Sequence, residues 1–165
     1  MKKNEIEKAP EIEAGIETMR VYWHLGKAIH DIAHWLRKKG IKCQDNHPLD
    51  GLTLTPPLAA KAGMGWRGKM GLLITPEFGP RQRIAPIFID KPYFNYTDSR
   101  EHAWIEKYCR SCGSCQKNCP TNAIRDEFVP YLEGIESIGA LKSCIDKNKC
   151  YPYFQETILL HSILQ

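Results

Sequence analysis

CRSCGSCQKNCP, residues 109–120, decides how this chain is read. Cys109, Cys112, Cys115 and Cys119 follow the spacing C-x2-C-x2-C-x3-C, and Pro120 comes directly after. That spacing is the ferredoxin-type pattern for a [4Fe–4S] cluster. Two-residue gaps let successive sulfurs converge on one cubane while backbone amides donate to its sulfides. When two clusters are present, the fourth cysteine of such a run ligates the other one. A zinc site is the alternative, but four closely spaced cysteines ending in Cys-Pro differ from the usual split zinc pattern.

Counting thiols sharpens this reading. Two all-cysteine clusters need about eight thiolates, four each. The chain has seven cysteines, six of them after residue 108. Cys43 lies far upstream, so only Cys144 and Cys150 remain downstream. These residues complete one cluster, with Cys119, Cys144 or Cys150 as the fourth ligand, but not two.

The rest of the composition is that of a globular protein. The 165 residues carry 23 Lys and Arg against 19 Asp and Glu, a formal net charge of +4. Those charges are interspersed, which argues against a basic nucleic-acid surface. No apolar stretch reaches the ~18 residues of a membrane span. The opening MKKNEIEKAPEIEAG has no apolar signal region and no twin arginine, so a cytoplasmic location is expected. In a reducing cytosol, clustered cysteines point to metal rather than to disulfides.

Local patterns place the cysteines in a mixed α+β chain. Residues 1–15 are polar and expected to fray. Leu25, Ile29, Ile32 and Leu36 recur at helical steps, predicting a helix over His24–Lys39 that Gly40 ends. KCQDNHPLDG (42–51) reads as a loop, and PLAAKA (57–62) as a short helix stopped by Gly63. GLLITP (71–76) and RIAPIFID (83–90) read as two strands of a β-hairpin, the second interrupted by Pro86. A short helix is expected around Glu101–Tyr108, after the aromatic run Tyr93, Phe94 and Tyr96. Another is expected to start at Thr121–Ile124. The compositional break falls near residue 105.

Two stretches, PPLAAKAGMGWRGKMGLLITPEFGPR (56–81) and the cysteine run through CPTNAI, together resemble the epoxyqueuosine reductase and reductive dehalogenase superfamily. That resemblance implies a partial nitroreductase-like, cobalamin-binding region over 21–104. A polar segment (1–20) precedes it, and a ferredoxin-like iron–sulfur module follows over 105–165. It implies one-electron transfer from a [4Fe–4S] cluster to a corrinoid, with a ferredoxin or flavodoxin as electron donor. The AGMGWRGK loop resembles the segment that approaches the corrinoid, which implicates Gly63, Gly65, Trp66, Gly68 and Lys69. Asp50 is the nearest candidate for the proton-donating aspartate of epoxyqueuosine reductases, but it stands about one residue out of register, and a loop aspartate before Gly51 in a turn is the better reading.

The resemblance also bears on the missing thiols. In the superfamily, a segment like KNKCYPYF (147–154) gives one ligand to the second cluster. A later C-x2-C-x3-C-P, absent here, completes both clusters. A member shortened at both ends is therefore expected, with a partner chain able to supply the missing ligands. A non-catalytic electron-transfer subunit and an inactive fragment are the competing readings. Nucleic acid enters only through a tRNA substrate.

Three weaker motifs have ordinary explanations. Gly63-x-Gly65-x-x-Gly68 matches a dinucleotide fingerprint as text but does not lie between a strand and a helix. His30 and His34 share a helix face as in a zinc protease, with Asp31 in the place of glutamate. Asp45-x-His47-x-x-Asp50-Gly51 is one residue off a cobalamin-binding histidine motif.

Overall fold

The computed structural model describes residues 1–49, 52–91, 98, 100–126 and 144–163. Asp50 and the aromatic run Tyr93, Phe94 and Tyr96 lie outside them. The described residues form helices α1 (Lys3–Ile6), α2 (Ile12–Lys38), α3 (Thr55–Lys61), α4 (Trp104–Cys112), α5 (Ser114–Lys117) and α6 (Lys147–Ile163). Four short strands join them: β1 (Cys43–Asp45), β2 (Trp66–Arg67), β3 (Leu73–Ile74) and β4 (Ile87–Ile89). The architecture is α+β, built from helices around two small antiparallel ladders.

The long helix begins twelve residues earlier than its apolar periodicity indicates. Its N-terminal half turns Ala14 and Glu17 inward and leaves Ile16, Met19 and Trp23 exposed. Glu17 is only 4% exposed, because Arg20 clamps its carboxylate from Nε at 2.7 Å and Nη2 at 2.8 Å. The Lys2 amide adds a third donor at 2.7 Å. The first residues are therefore docked on α2 rather than frayed, and the Met1 amino group donates to the Arg81 carbonyl at 3.0 Å. At the other end, Gly40 N–H reaches Arg37 O and Ile41 N–H reaches Leu36 O, the paired bonds of a Schellman stop.

α3 forms where expected, its first turn opened by Pro56 and Pro57. Gly63 N–H and Met64 N–H close it onto Ala60 O and Ala59 O in the same motif. Its small residues Ala59 and Ala60 pack on Leu73, with Ile84 at the margin, and form the densest part of the core.

The hairpin expected over 71–90 does not form. β3 pairs backwards with β2, Trp66 opposite Ile74 and Arg67 opposite Leu73. β4 pairs with β1, Cys43 opposite Ile89 and Asp45 opposite Ile87. A tight turn does follow β3, where Thr75 and Gly79 exchange both backbone hydrogen bonds. Pro86 lacks an N–H for a ladder, and β4 begins only after it. Pairing is settled by which exposed edge each strand meets, and both partners lie upstream.

Gly65 makes the β2–β3 approach possible. A Cβ there would run into the Ile74 carbonyl oxygen, so only glycine lets the two backbones come this close. A Cβ at Gly68 would instead press on the flexible end of Ile74, 2.5 Å from its Cδ1.

Candidate metal centre

The four-cysteine run occupies two short helices and a turn. Cys109 and Cys112 lie on the last turn of α4, three residues apart and hence on one face. Gly113, at φ +61°, reverses the chain in the left-handed region, and α5 then carries Cys115. A side chain at position 113 would be strained in that conformation, so the turn between the second and third cysteine depends on glycine. Ile105 is the buried anchor of α4, which packs against β2.

Cys109, Cys112 and Cys115 are close enough for their charges to interact. Burial pushes the Cys109 thiol above its ordinary value, and the nearby Cys115 and Cys112 add to the rise. A hydrogen bond from the Lys69 backbone N–H to Cys109 opposes it. Burial also raises Cys115, opposed by the Gln116 amide and then its own, while Cys112 pushes it further up. Cys112 itself is exposed. Three soft thiols carried by two short helices around the Gly113 turn, with amide donors at Cys109 and Cys115, are a donor set of the chemistry that holds an iron–sulfur cluster. Among the described residues, no three His, Cys, Asp or Glu side chains are gathered tightly enough to hold a metal ion.

Cys119 has different surroundings. Burial alone would raise it, but the Ala123 N–H, the Thr121 hydroxyl and the amides of Thr121 and Ile124 outweigh that and lower its pKa. The Ala123 N–H lies 3.3 Å from its sulfur. After burial, its influences are hydrogen bonds rather than neighbouring thiols. The helix expected to start at Thr121–Ile124 does not form over residues 121–126. Asn122 takes a positive φ of 49°, and Ile124 bridges to Ile145 in antiparallel fashion. The bridge brings in Cys144, whose carbonyl accepts from Arg125 N–H at 2.8 Å, while Asp146 N–H reaches Ala123 O at 2.7 Å. Cys119 and Cys144 therefore flank one small backbone knot. Cys144 is 1% exposed, whereas Cys150 is exposed on α6.

The loop that carries Gly63, Gly65, Trp66, Gly68 and Lys69 is pressed against this module. Trp66 is buried. Arg67 reaches the Cys144 sulfur with Nη2 at 3.8 Å. Lys69 is 8% exposed and donates from Nζ to Gln116 Oε1 at 2.9 Å. Lys69 and Arg67 thus touch the cysteine module from residues 47 and 77 positions away, contacts that no local spacing indicates. Beyond Gln116 lies an open cleft of about 570 Å³, lined by Asn122, Ile124, Arg125, Asp126 and Lys149 but by no cysteine.

The two histidine motifs resolve into packing. His47 lies over Gly26 of α2, where a Cβ would collide with its ring, and its Nδ1 accepts from Leu49 N–H at 3.2 Å. His30 and His34 are exposed, and His30 Nδ1 sits 3.3 Å from Asp45 Oδ2. Cys43 is half-buried and directs its thiol at the Ala33 carbonyl, far from the run in sequence. Among the described residues, no helix is long and apolar enough to cross a membrane.

Comparison with known proteins agrees with this geometry. The 4Fe-4S binding domain family matches residues 102–125, which enclose all four cysteines of the run. Over 151 residues the chain is 31% identical to the tetrachloroethene reductive dehalogenase of Dehalobacter restrictus, covering 88% of this chain and 27% of that protein. It is 37% identical over 70 residues to the epoxyqueuosine reductase of Listeria monocytogenes, covering 42% and 17%. With the Synechocystis epoxyqueuosine reductase it shares 29% over 132 residues, covering 78% and 38%. The chain thus spans about a quarter of the length of the dehalogenases it matches. Similarity that runs through both the glycine loop and the cysteine run, in order, places this iron–sulfur chain in the reductive dehalogenase and epoxyqueuosine reductase superfamily.

Proposed function

We propose that this chain carries single electrons through a [4Fe–4S] cluster held by Cys109, Cys112 and Cys115, as part of a reductase of this superfamily. The observation that carries the proposal is the placing of Cys109 and Cys112 on one face of α4, and of Cys115 on α5 across the Gly113 turn, within the matched iron–sulfur domain. When bound, the cluster supplies a one-electron carrier. The chain's own part is to hold it by thiolates, to donate hydrogen bonds to the sulfurs and to seat α4 on β2. A ferredoxin or flavodoxin is the proposed donor, and a partner chain the proposed source of ligands for a second cluster. Cys119, Cys144 and Cys150 are the candidates to complete the first cluster or to start the second.

The division near residue 105, with a nitroreductase-like region before it, belongs to the same proposal, as does the corrinoid as acceptor. The space in front of the Cβ positions of Gly65 and Gly68 is filled by Ile74. Lys69 turns into the cysteine module. We assign Lys69 and the glycine positions a part in holding the module, and a corrinoid approach to this loop stays part of the same proposal. Asp50, the proposed proton donor, lies outside the described residues.

Anaerobic reconstitution with iron and sulfide, followed by iron quantification and EPR of the reduced protein, tests the proposal. About four irons per chain and a reduced-cluster signal are expected. Iron near zero refutes it. Incubating the reconstituted chain with cobalamin then separates a corrinoid acceptor held here from one held elsewhere.

A further inference from the structure

We infer that Lys69 sets the reduction potential of the cluster held by Cys109, Cys112 and Cys115, as a buried cation that favours the reduced state. The inference rests on the proposed cluster. Three observations carry it. First, Lys69 is 8% exposed, so its charge is poorly screened by solvent. Second, its side-chain acceptor is the neutral amide of Gln116, and among the described residues no carboxylate forms an ion pair with it. Third, Gln116 directly follows Cys115, and the Lys69 backbone N–H faces Cys109, so the residue lies beside two members of the ligand set.

The physical consequence follows from charge. Reduction adds one electron to the cluster, and a fixed positive charge in a low-dielectric setting stabilises the product more than the reactant. Gln116 Nε2 in turn donates to Asp126 Oδ1 at 2.9 Å, which fixes the amide so that its oxygen faces Lys69.

The test is an EPR-monitored redox titration of the reconstituted full chain and its variants. Lys69→Met is expected to move the midpoint potential downward, while Lys69→Arg keeps it near that of the unaltered protein. Gln116→Glu leaves the lysine in place but sets a carboxylate against it, and the same downward shift is expected. Lys107→Met removes an exposed cation from α4 and is expected to leave the potential unchanged. If Lys69→Met or Gln116→Glu holds a cluster with an unaltered midpoint, the inference falls while the proposed cluster stands. If Lys107→Met shifts the potential as far as Lys69→Met, burial is not what matters and the inference also falls. If the unaltered chain holds no cluster, the proposed function and this inference fail together.

Discussion

Glu17 shows how a single side chain holds the start of the chain in place. Its hydrogen bonds from Arg20, then from the Lys2 amide, lower its pKa from 4.5 to about 2 despite burial. A carboxylate depressed in this way contributes stability above its unfolded value, and the contribution is lost as pH falls through the folded value. Glu17→Gln is therefore expected to be less stable than the unaltered apo chain at pH 7. The gap should hold down to about pH 4.5 and close toward pH 2. Chemical denaturation of both proteins across that range checks it; a gap that persists unchanged at pH 2 would refute the role. The cysteines give a second residue-scale prediction. Cys109→Ser, Cys112→Ser and Cys115→Ser should each abolish stable iron incorporation, whereas Cys43→Ser, bonded to Ala33 O, should leave the iron count unchanged.

At the scale of elements, two glycines should respond in opposite ways. Gly65→Ala forces a methyl group into the Ile74 carbonyl, and backbone must shift to admit it. A loss of about 3 kcal/mol is expected, the upper range for overpacking. Gly15 sits inside α2, and a methyl group there would meet nothing within 4 Å. Gly15→Ala should therefore stabilise by about 0.5–1 kcal/mol, the helical cost of glycine relative to alanine. Thermal unfolding of the two variants checks both signs. The elements also show what was legible in advance. The end of α2, the span and stop of α3, and the cysteine spacing are local patterns, and each reads directly. The start of α2 does not, because its inward face is Ala14 and a clamped Glu17 while Ile16, Met19 and Trp23 point outward. Apolar periodicity assumes that large apolar groups mark the buried side, and here that assumption inverts. Strand partners were equally illegible, since β1–β4 and β2–β3 pairing depends on contacts formed only after the chain folds back.

Across the whole molecule, the cysteine module is tied to the glycine loop by Lys69–Gln116 and Arg67–Cys144. Neither link is visible in the spacing of residues, which is why the loop reads from sequence as a cofactor-facing segment and from structure as a clamp. A ligand that binds only the folded state stabilises what it is joined to. Cluster incorporation should accordingly slow amide exchange at Gly68 and Thr75, whose N–H groups bond Leu72 O and Gly79 O. Exchange in the middle of α2, which lies against α1, β1 and α6, should change little. Hydrogen–deuterium exchange on apo and reconstituted protein checks this; uniform slowing across the chain would contradict a clamp confined to β2 and β3.

The β1–β4 ladder has a bearing on the order of assembly. Three residue pairs, from Cys43 with Ile89 to Asp45 with Ile87, close a loop of about forty residues that holds α3, β2 and β3. Closing such a loop costs chain entropy that grows only weakly with its length, and every cysteine of the run lies outside it. The surface that receives α4 can thus be completed by protein contacts alone, before any iron is acquired. Uptake of a cluster by the cysteine run would then begin from a prepared dock.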